Sequence, residues 1–321
     1  MIKKIIKKIF VLALRLIGPF LRYSISQNIK YIDKSYEFRE RVEDIFLHTS
    51  TDQPIYIDVG ARRGVDTRHW EYKNFFDFHL FEPDPHEASF LSEYYGNVHN
   101  CALSDRTGET ELYVTDDPGS SYTKSNVYAD DLNTHKLSVD LEVIKSSSKD
   151  ISNVIKVPVY RLADFEFNKP IIYMKIDVQG EEVQILNGLG NEYRPAVLKI
   201  EASSITQDQN HSSITQTLIW AEKNNYSLLG VAFEDNGIND WSSEFDIALQ
   251  GDILLIDENY KSNPDLARMI GAMLLVLGMY SPAEAILKYS DLEESDKGNL
   301  PKFSKKIFKF VYNNAHDRRG L

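Results

Sequence analysis

The run YIDVGARRG carries an acid, Asp58, near the end of an apolar stretch, with two turn glycines, Gly60 and Gly64, behind it. About twenty residues further on, FHLFEPDP puts a second acid, Glu82, at the end of another apolar stretch. Acid, glycine turn and second acid, in that order, line the crevice of a nucleotide-type ligand in an open α/β sheet. Glycine at position 60 lets the backbone leave the strand sharply and come close to a ligand with no side chain in the way. The helix after such a turn points unpaired N–H groups into the crevice. A dinucleotide needs a further glycine where Arg62 stands, and a guanidinium side chain there crowds a pyrophosphate, so a nicotinamide cofactor is disfavoured.

A smaller ligand with a carboxylate, an amine and a ribose suits the pattern better. Glu82 is placed to accept hydrogen bonds from both ribose hydroxyls. In CALSD, Ala102 and Leu103 can flank an adenine, and Asp105 can accept from its exocyclic amine. S-adenosylmethionine has all of these parts. The competing reading of Asp58, a plain loop cap, loses ground because a second acid closes the next strand as well.

These residues need strands to hold them. Short apolar runs at 55–59, 78–81, 98–103, 171–178, 197–200, 226–233 and 253–256 are strand candidates. Helical stretches separate several of them, around 86–95, 181–189 and 214–224. That alternation predicts an α/β fold with a mostly parallel sheet and helices on its faces. The spacing divides the chain into a first helix over 1–31, a connecting amphipathic helix over 32–52, the α/β domain over 53–258 and a helical extension over 259–321. Within the domain, residues 116–154 are polar and lack strong periodicity, which predicts an insertion, either a lid or acceptor loop or a plain exposed one. In the extension, Ser281-Pro282 reads as the cap and first turn of a helix.

With 321 residues and 42% apolar side chains, the chain can bury a sizeable core. The lone Cys101 excludes an intrachain disulfide and a cysteine-built zinc site, and reads as a small buried residue on a strand. Charge is uneven. Residues 1–31 carry seven basic side chains and no acid, and residues 300–321 carry six against Asp317. Within a net charge of −12 the middle therefore holds −24. A body so acidic is a poor partner for nucleic acid. The first segment is amphipathic, with Ile2, Ile5, Ile6, Ile9, Leu12 and Leu16 opposite Lys4, Lys7, Lys8 and Arg15. Its unbroken apolar run, 9–14, is far too short to span a bilayer, so it is expected to lie on an anionic membrane surface through residues 1–25, with a packing helix, and then a targeting or spanning segment, as the alternatives. PKFSKKIFKFVY, at 301–312, repeats the pattern. The protein is therefore expected to be cytoplasmic and peripheral at the inner face of a membrane.

With these residues in hand, the chain resembles the FkbM family of S-adenosylmethionine-dependent methyltransferases. The matching segments are DVGARRGVDT, FEPDP, NCALSD with GETELYV, the GSS at 119–121, VPVYRLADF, MKIDVQGEEVQIL with Gly188, and LKIEAS, in the family's order. The resemblance implies a seven-stranded class I methyltransferase fold and, for many relatives, O-methylation of glycans, lipids or secondary metabolites. It implies that Asp58, Gly60, Ala61 and Gly64 form the methionine-binding turn, that Glu82 is the ribose acid and that 102–105 is the adenine segment. Asp177, Gly180 and Glu182 match the element after the fourth strand, and Glu201 closes the fifth. Arg62 stands where relatives usually have Asn, which alters contacts near the cofactor's methionine end. Gln179 replaces a usual Glu.

Methyl transfer from a sulfonium is an in-line displacement whose leaving group needs no acid, so alignment does most of the work. A hydroxyl acceptor must still lose its proton to a base, and a carboxylate is the expected one. Asp177 is the first choice, because ligands bind at the carboxyl ends of strands in open sheets. Binding the cofactor's amino group is its rival role. Glu182 is a candidate base that reads equally as a stabiliser of a helix dipole, and Glu201 one that reads equally as a buried carboxylate satisfied by backbone. A divalent metal held by Asp177 and Glu201 is a weaker alternative, with two oxygen ligands and no third. His69, His79, His86 and His211 are dispersed and read as surface or packing residues. The expected reaction is O-methylation of a small-molecule or glycan acceptor, foremost a saccharide or lipid-linked glycan. The alternative is a catalytically silent scaffold of the same fold, recruited to anionic lipid.

Overall fold

The computed structural model describes residues 53–115 apart from 63, 67, 68, 70 and 71, then 122–123, 151–203 apart from 179, 212–233 and 250–291. These residues fall within one compact unit, Thr49–Lys297. The expectations for the basic ends, for Gln179 and His211 and for most of the polar insertion lie outside the described residues.

Eleven strands are described: β1 (Ile55–Val59), β2 (Asp77–Phe81), β3 (Asn97–His99), β4 (Ala102–Leu103), β5 (Gly108–Thr115), β6 (Tyr122–Thr123), β7 (Ile151–Tyr160), β8 (Ile171–Ile176), β9 (Val197–Ser203), β10 (Tyr226–Phe233) and β11 (Gln250–Asp257). Seven of them form one sheet in the order β10-β11-β9-β8-β1-β2-β3. All neighbours run parallel except β11, which is antiparallel to both β9 and β10. The predicted mostly parallel seven-stranded sheet is present. From β1 the chain builds outward through β2 to β3, then returns to add β8 and β9 on the other side. The order thus reverses between β1 and β8, and ligands of open α/β sheets bind at the carboxyl ends of such a pair.

The central strands are apolar because both of their faces are covered. On one face Ile57, Val59, Met174, Ile176, Leu198 and Ile200 pack with Leu186, Leu189 and Trp220. These last come from helix α2 (Glu182–Asn187), the turn after it and helix α3 (Ile214–Lys223). On the other face register matters more. Asp58 on β1 pairs with Lys175 on β8, and Lys175 with Lys199 on β9, so three charged side chains stand in one row across the sheet.

Helix starts follow their caps. In α1 (Pro85–Leu91), the Asp84 side chain accepts from His86 N with Pro85 in the first turn, which explains why FEPDP ends a strand and begins a helix. Ser213 and Gln216 form a reciprocal capping box on α3. Helix α4 (Pro264–Val276) starts from Asn263 and lies against β8. Helix α5 (Tyr280–Leu287) packs on α4 where Gly271 leaves room for Leu287. Met279 is the N-cap of α5, so Ser281 and Pro282 sit inside its first turn instead of starting it.

Two expectations need correction. The run 98–103 is not one strand. Asn100 Nδ2 donates to the carbonyls of Glu82 and Pro83, both at 3.0 Å, and the chain turns there, with Cys101 N donating to His99 O at 2.9 Å. Cys101 is buried in that turn, where burial pushes its thiol up to about 12. Beyond the turn Ala102 and Leu103 join a second sheet, ordered β4-β7-β5-β6. That sheet was unforeseen. Its main pairing, β5 against β7, runs from Gly108 opposite Val159 to Thr115 opposite Ile151, so β7 reaches back into the stretch read as polar insertion.

Candidate active site

The turn after β1 is fastened to the end of β2. Gly60 N and Ala61 N both donate to Phe81 O, at 3.0 and 3.2 Å, and Gly64 N donates to Ala61 O at 2.7 Å. Gly60 and Gly64 have φ of 77° and 83°, the left-handed region that glycine enters without penalty. A Cβ on Gly60 would lie 2.0 Å from the backbone oxygen of Asp177. The space that this glycine leaves is therefore filled by the protein's own carbonyl, which brings the carboxyl ends of β1 and β8 together. A Cβ on Gly64 would lie 2.6 Å from the hydroxyl of Tyr95, which accepts a hydrogen bond from Val65 N.

Glu82 and the segment 102–105 adjoin this turn. Glu82 is buried, its N–H donates to His99 O, and its Oε1 accepts from Asp84 N at 2.9 Å. Burial pushes its carboxyl up to about 7, against the pull of the Asp84 N–H and of Arg62. Arg62 leans toward α1, its Nε 3.7 Å from Glu87 Oε1. Its charge thus acts on Glu82 as well as on Glu87. Ala102, Leu103 and Ser104 are buried, and Asp105 is exposed. Ser104 N donates to Tyr160 O at 2.9 Å, and a Cβ on Gly188 would lie 2.1 Å from Ser104 O. The segment is thereby held between β7 and the end of α2.

The acids that the sequence suggests for the acceptor lie after β8 and on β9. Asp177 follows β8, its N–H donating to Val59 O and its side chain about a third exposed. Its Oδ2 lies 3.0 Å from Lys175 Nζ, and the same ammonium lies 3.7 Å from Oδ1 of Asp58. Asp58 is fully buried, and that Oδ1 takes no hydrogen bond. Burial pushes Asp58 up to about 6, with Lys175 and Lys199 pulling it down and Asp177 pushing it further up. Burial by itself would lower Lys175, but Asp58 and Asp177 outweigh it and hold the ammonium above its ordinary range. Lys175 went unnoticed in the sequence, although a lysine inside the buried run IIYMKI is the signal that could have found it.

Glu182 opens α2 from a buried position. It is 2% exposed, and its Oε1 turns back to accept from Gly180 N at 2.8 Å, tying the loop after Asp177 to α2. Burial pushes it up to about 7. The Oε1 bond suits a positioning role. Glu201 is half-buried on β9 opposite Asp252 of β11, which pairs with Lys199 at 2.7 Å. Among the described residues no cluster of three or more His, Cys, Asp or Glu side chains could hold a metal ion. His69 is a packing residue, buried with its Nδ1 2.7 Å from the hydroxyl of Tyr56, and His79 stacks on His99.

A pH dependence follows. Glu82 and Glu182 lie near 7 and Asp58 near 6, all above the ordinary carboxylate range of about 4. Between about pH 4 and 7 the native protein therefore binds more protons than the unfolded chain, and these groups make it less stable as pH rises through that window. A ligand that donates hydrogen bonds to Glu82 and brings a cation to Asp58 favours both ionised forms. Binding of S-adenosylhomocysteine near pH 6.5 is expected to release roughly one proton. Calorimetry in buffers of different ionisation enthalpy reads this directly, and a buffer-independent heat would contradict it.

Comparison with known proteins bears on the family. The family model described as Methyltransferase FkbM domain matches residues 58–228, more than half of the chain. Methyltransferase 1 of Beauveria bassiana (strain ARSEF 2860) is 27% identical over 179 residues, which cover 51% of this chain and 66% of that protein. The match thus spans just under two thirds of the relative. Among solved structures, TrmK of M. capricolum in complex with S-adenosylhomocysteine is 10% identical, covering 87% of this chain and 95% of that one, with a TM-score of 0.29. A protein in the NADB-Rossmann superfamily from Streptococcus agalactiae is 9% identical, covering 77% and 96%, with a TM-score of 0.28. Similarities so slight carry no argument, and the fold rests on the strand order given above. The matched span takes in Asp58, the glycine turn, Glu82, the segment 102–105, Asp177 and Glu201, and the chain belongs to the FkbM family of S-adenosylmethionine-dependent methyltransferases.

Proposed function

We propose that the protein transfers a methyl group from S-adenosylmethionine to a hydroxyl of a saccharide or lipid-linked glycan. The observation that carries this reading is the Asp177 carboxylate at the reversal of strand order, beside the glycine turn and open to solvent on one side. The residues present fit the cofactor. Asp58 Oδ1 is buried without a hydrogen bond, as an acid awaiting an ammonium would be, and Glu82 commits only Oε1 to its own loop. Asp58, Gly60, Ala61 and Gly64 would hold the amino-acid end, Glu82 the ribose, and Ala102, Leu103 and Asp105 the adenine.

The bound cofactor supplies an electrophilic methyl on a sulfonium. The chain's part is to align an acceptor oxygen with that methyl and to take its proton. Asp177 Oδ1 is the atom we assign to the proton, while Oδ2 stays on Lys175. Glu182 holds the loop that carries Asp177, and Glu201 lines the same end of the sheet from β9. Asp177 and Glu201 as ligands of a divalent metal remain the weaker alternative. Attachment to the inner face of a membrane is supported by the basic amphipathic patterns at 1–25 and 301–312, and would favour a cytoplasmic enzyme working on lipid-linked acceptors. Among the described residues no helix is long and apolar enough to cross a membrane.

The test is incubation of the full chain with methyl-labelled S-adenosylmethionine and pooled glycan and lipid extracts, alongside its Glu82→Ala variant. A glycan or glycolipid gaining the mass of one methyl group, and losing that gain in the variant, is the expected result. Failure of the parent to bind the cofactor in a calorimetric titration would overturn the reading. Binding without turnover on any extract would replace it with the silent scaffold.

A further inference from the structure

We propose that Lys175 is a positioning residue that couples the cofactor subsite to the acceptor base, sharing one ammonium between Asp58 and Asp177 until the cofactor's own ammonium takes over Asp58. This rests on the reading of Asp58 and Asp177 above.

The geometry is built into the sheet. Asp58 and Lys175 are direct partners across the parallel pair β1 and β8, so their side chains leave neighbouring backbones on the same face, and no loop has to close to bring them together. Asp177 lies on that same side, just past the end of β8. The ammonium is not shared equally. It is within hydrogen-bond distance of Asp177 Oδ2, at 3.0 Å, but 3.7 Å from Asp58 Oδ1. One positive charge cannot neutralise two acids, and the shortfall falls on Asp58, the more deeply buried of the pair.

The deficit matches what a ligand carrying an ammonium would bring. Once that group lies on Asp58, each acid has its own cation, and Lys175 is released to Asp177. Asp177 then stays ionised without competition, in place to receive a proton. Before the cofactor arrives, the same lysine keeps Asp58 ionised in a buried site, where a carboxyl group would otherwise hold its proton. The other groups around Asp58 do not offer this service. Tyr56 on its own strand, Tyr173 on β8, and Asp66 and Tyr95 beside the glycine turn supply no cation. Among the described residues Lys199 on β9 is the further cation acting on Asp58, and it is hydrogen-bonded to Asp252.

A merely structural ion pair would make a different prediction, and pH separates the two. S-adenosylhomocysteine is titrated calorimetrically into the full chain and into Lys175→Met and Lys175→Arg from about pH 5.5 to 9, with thermal unfolding of each recorded alongside. In the parent, affinity falls on the acid side in two steps, as Glu82 and then Asp58 take up their protons. In Lys175→Met the Glu82 step stays and the Asp58 step moves up by about one pH unit or more, affinity near pH 7 drops by about tenfold, and alkaline buffer restores it. Lys175→Arg keeps the parental midpoint. Lys175→Gln gives the same reading should the Met variant fail to fold. A Met or Gln variant that binds with the parental midpoint, however destabilised, overturns the proposal. A parent that binds at no pH overturns the cofactor reading beneath it, and the two failures are thereby distinguished.

Discussion

Gly60→Ala is expected to abolish measurable binding of S-adenosylhomocysteine and to cost the fold about 3 kcal/mol. Two effects add. At φ 77° an L side chain pays roughly 1–2 kcal/mol that glycine does not. The new methyl would also lie 2.0 Å from the Asp177 carbonyl oxygen, a backbone atom that cannot swing aside as a side chain would. Relief must come from parting the carboxyl ends of β1 and β8, which adds roughly 1–3 kcal/mol of overpacking. Because those two strand ends carry Asp58 and Asp177, the displacement reaches both halves of the site. Urea unfolding reads the stability and calorimetric titration the binding. A variant that unfolds at the parental urea concentration and binds as the parent does would refute this placement of the turn.

Asp177→Asn is expected to lower kcat by about two to four orders of magnitude while leaving affinity for S-adenosylhomocysteine within a few-fold of the parent. The amide keeps the shape of the carboxylate and can still accept from Lys175, but it cannot take a proton. Its rival role separates cleanly. If Asp177 bound the cofactor's amino group, affinity would fall along with the rate, and the base would have to be sought elsewhere.

Much of the site could be read from the chain because its chemistry is local. An acid at the end of an apolar strand is conspicuous in YIDVG and FHLFEP, and turn glycines directly behind it leave few other meanings. The main sheet was legible for a similar reason, since strands buried on both faces are nearly unbroken apolar runs. The second sheet lacks that signature. β5 and β7 interleave Glu109, Glu111, Lys156 and Pro158 with their apolar residues, and half-exposed strands of this kind merge with the polar segment between them. Lys175 was hidden by its neighbours, because its meaning depends on register with Asp58, and register is a property of two strands. Glu182 is the opposite case. An acid opening a helix usually meets water, and only the folded chain shows that this one turns inward onto Gly180.

The break at Asn100 has a consequence for how such an enzyme can change. Asp58, Glu82, Asp177 and Glu201 all hang on or beside strands of the large sheet, whereas residues 102–104, proposed to flank the adenine, are hydrogen-bonded to β7 in the small one. The chain between β6 and β7 can therefore lengthen, shorten or change composition without shifting any of those acids. What such a change does reach, through the backbone of β7, is the segment proposed to hold the cofactor's base. Two backbone frames divide the labour, and a lineage exploring new acceptors can remodel the smaller frame while the carboxylates of the larger one stay where they are.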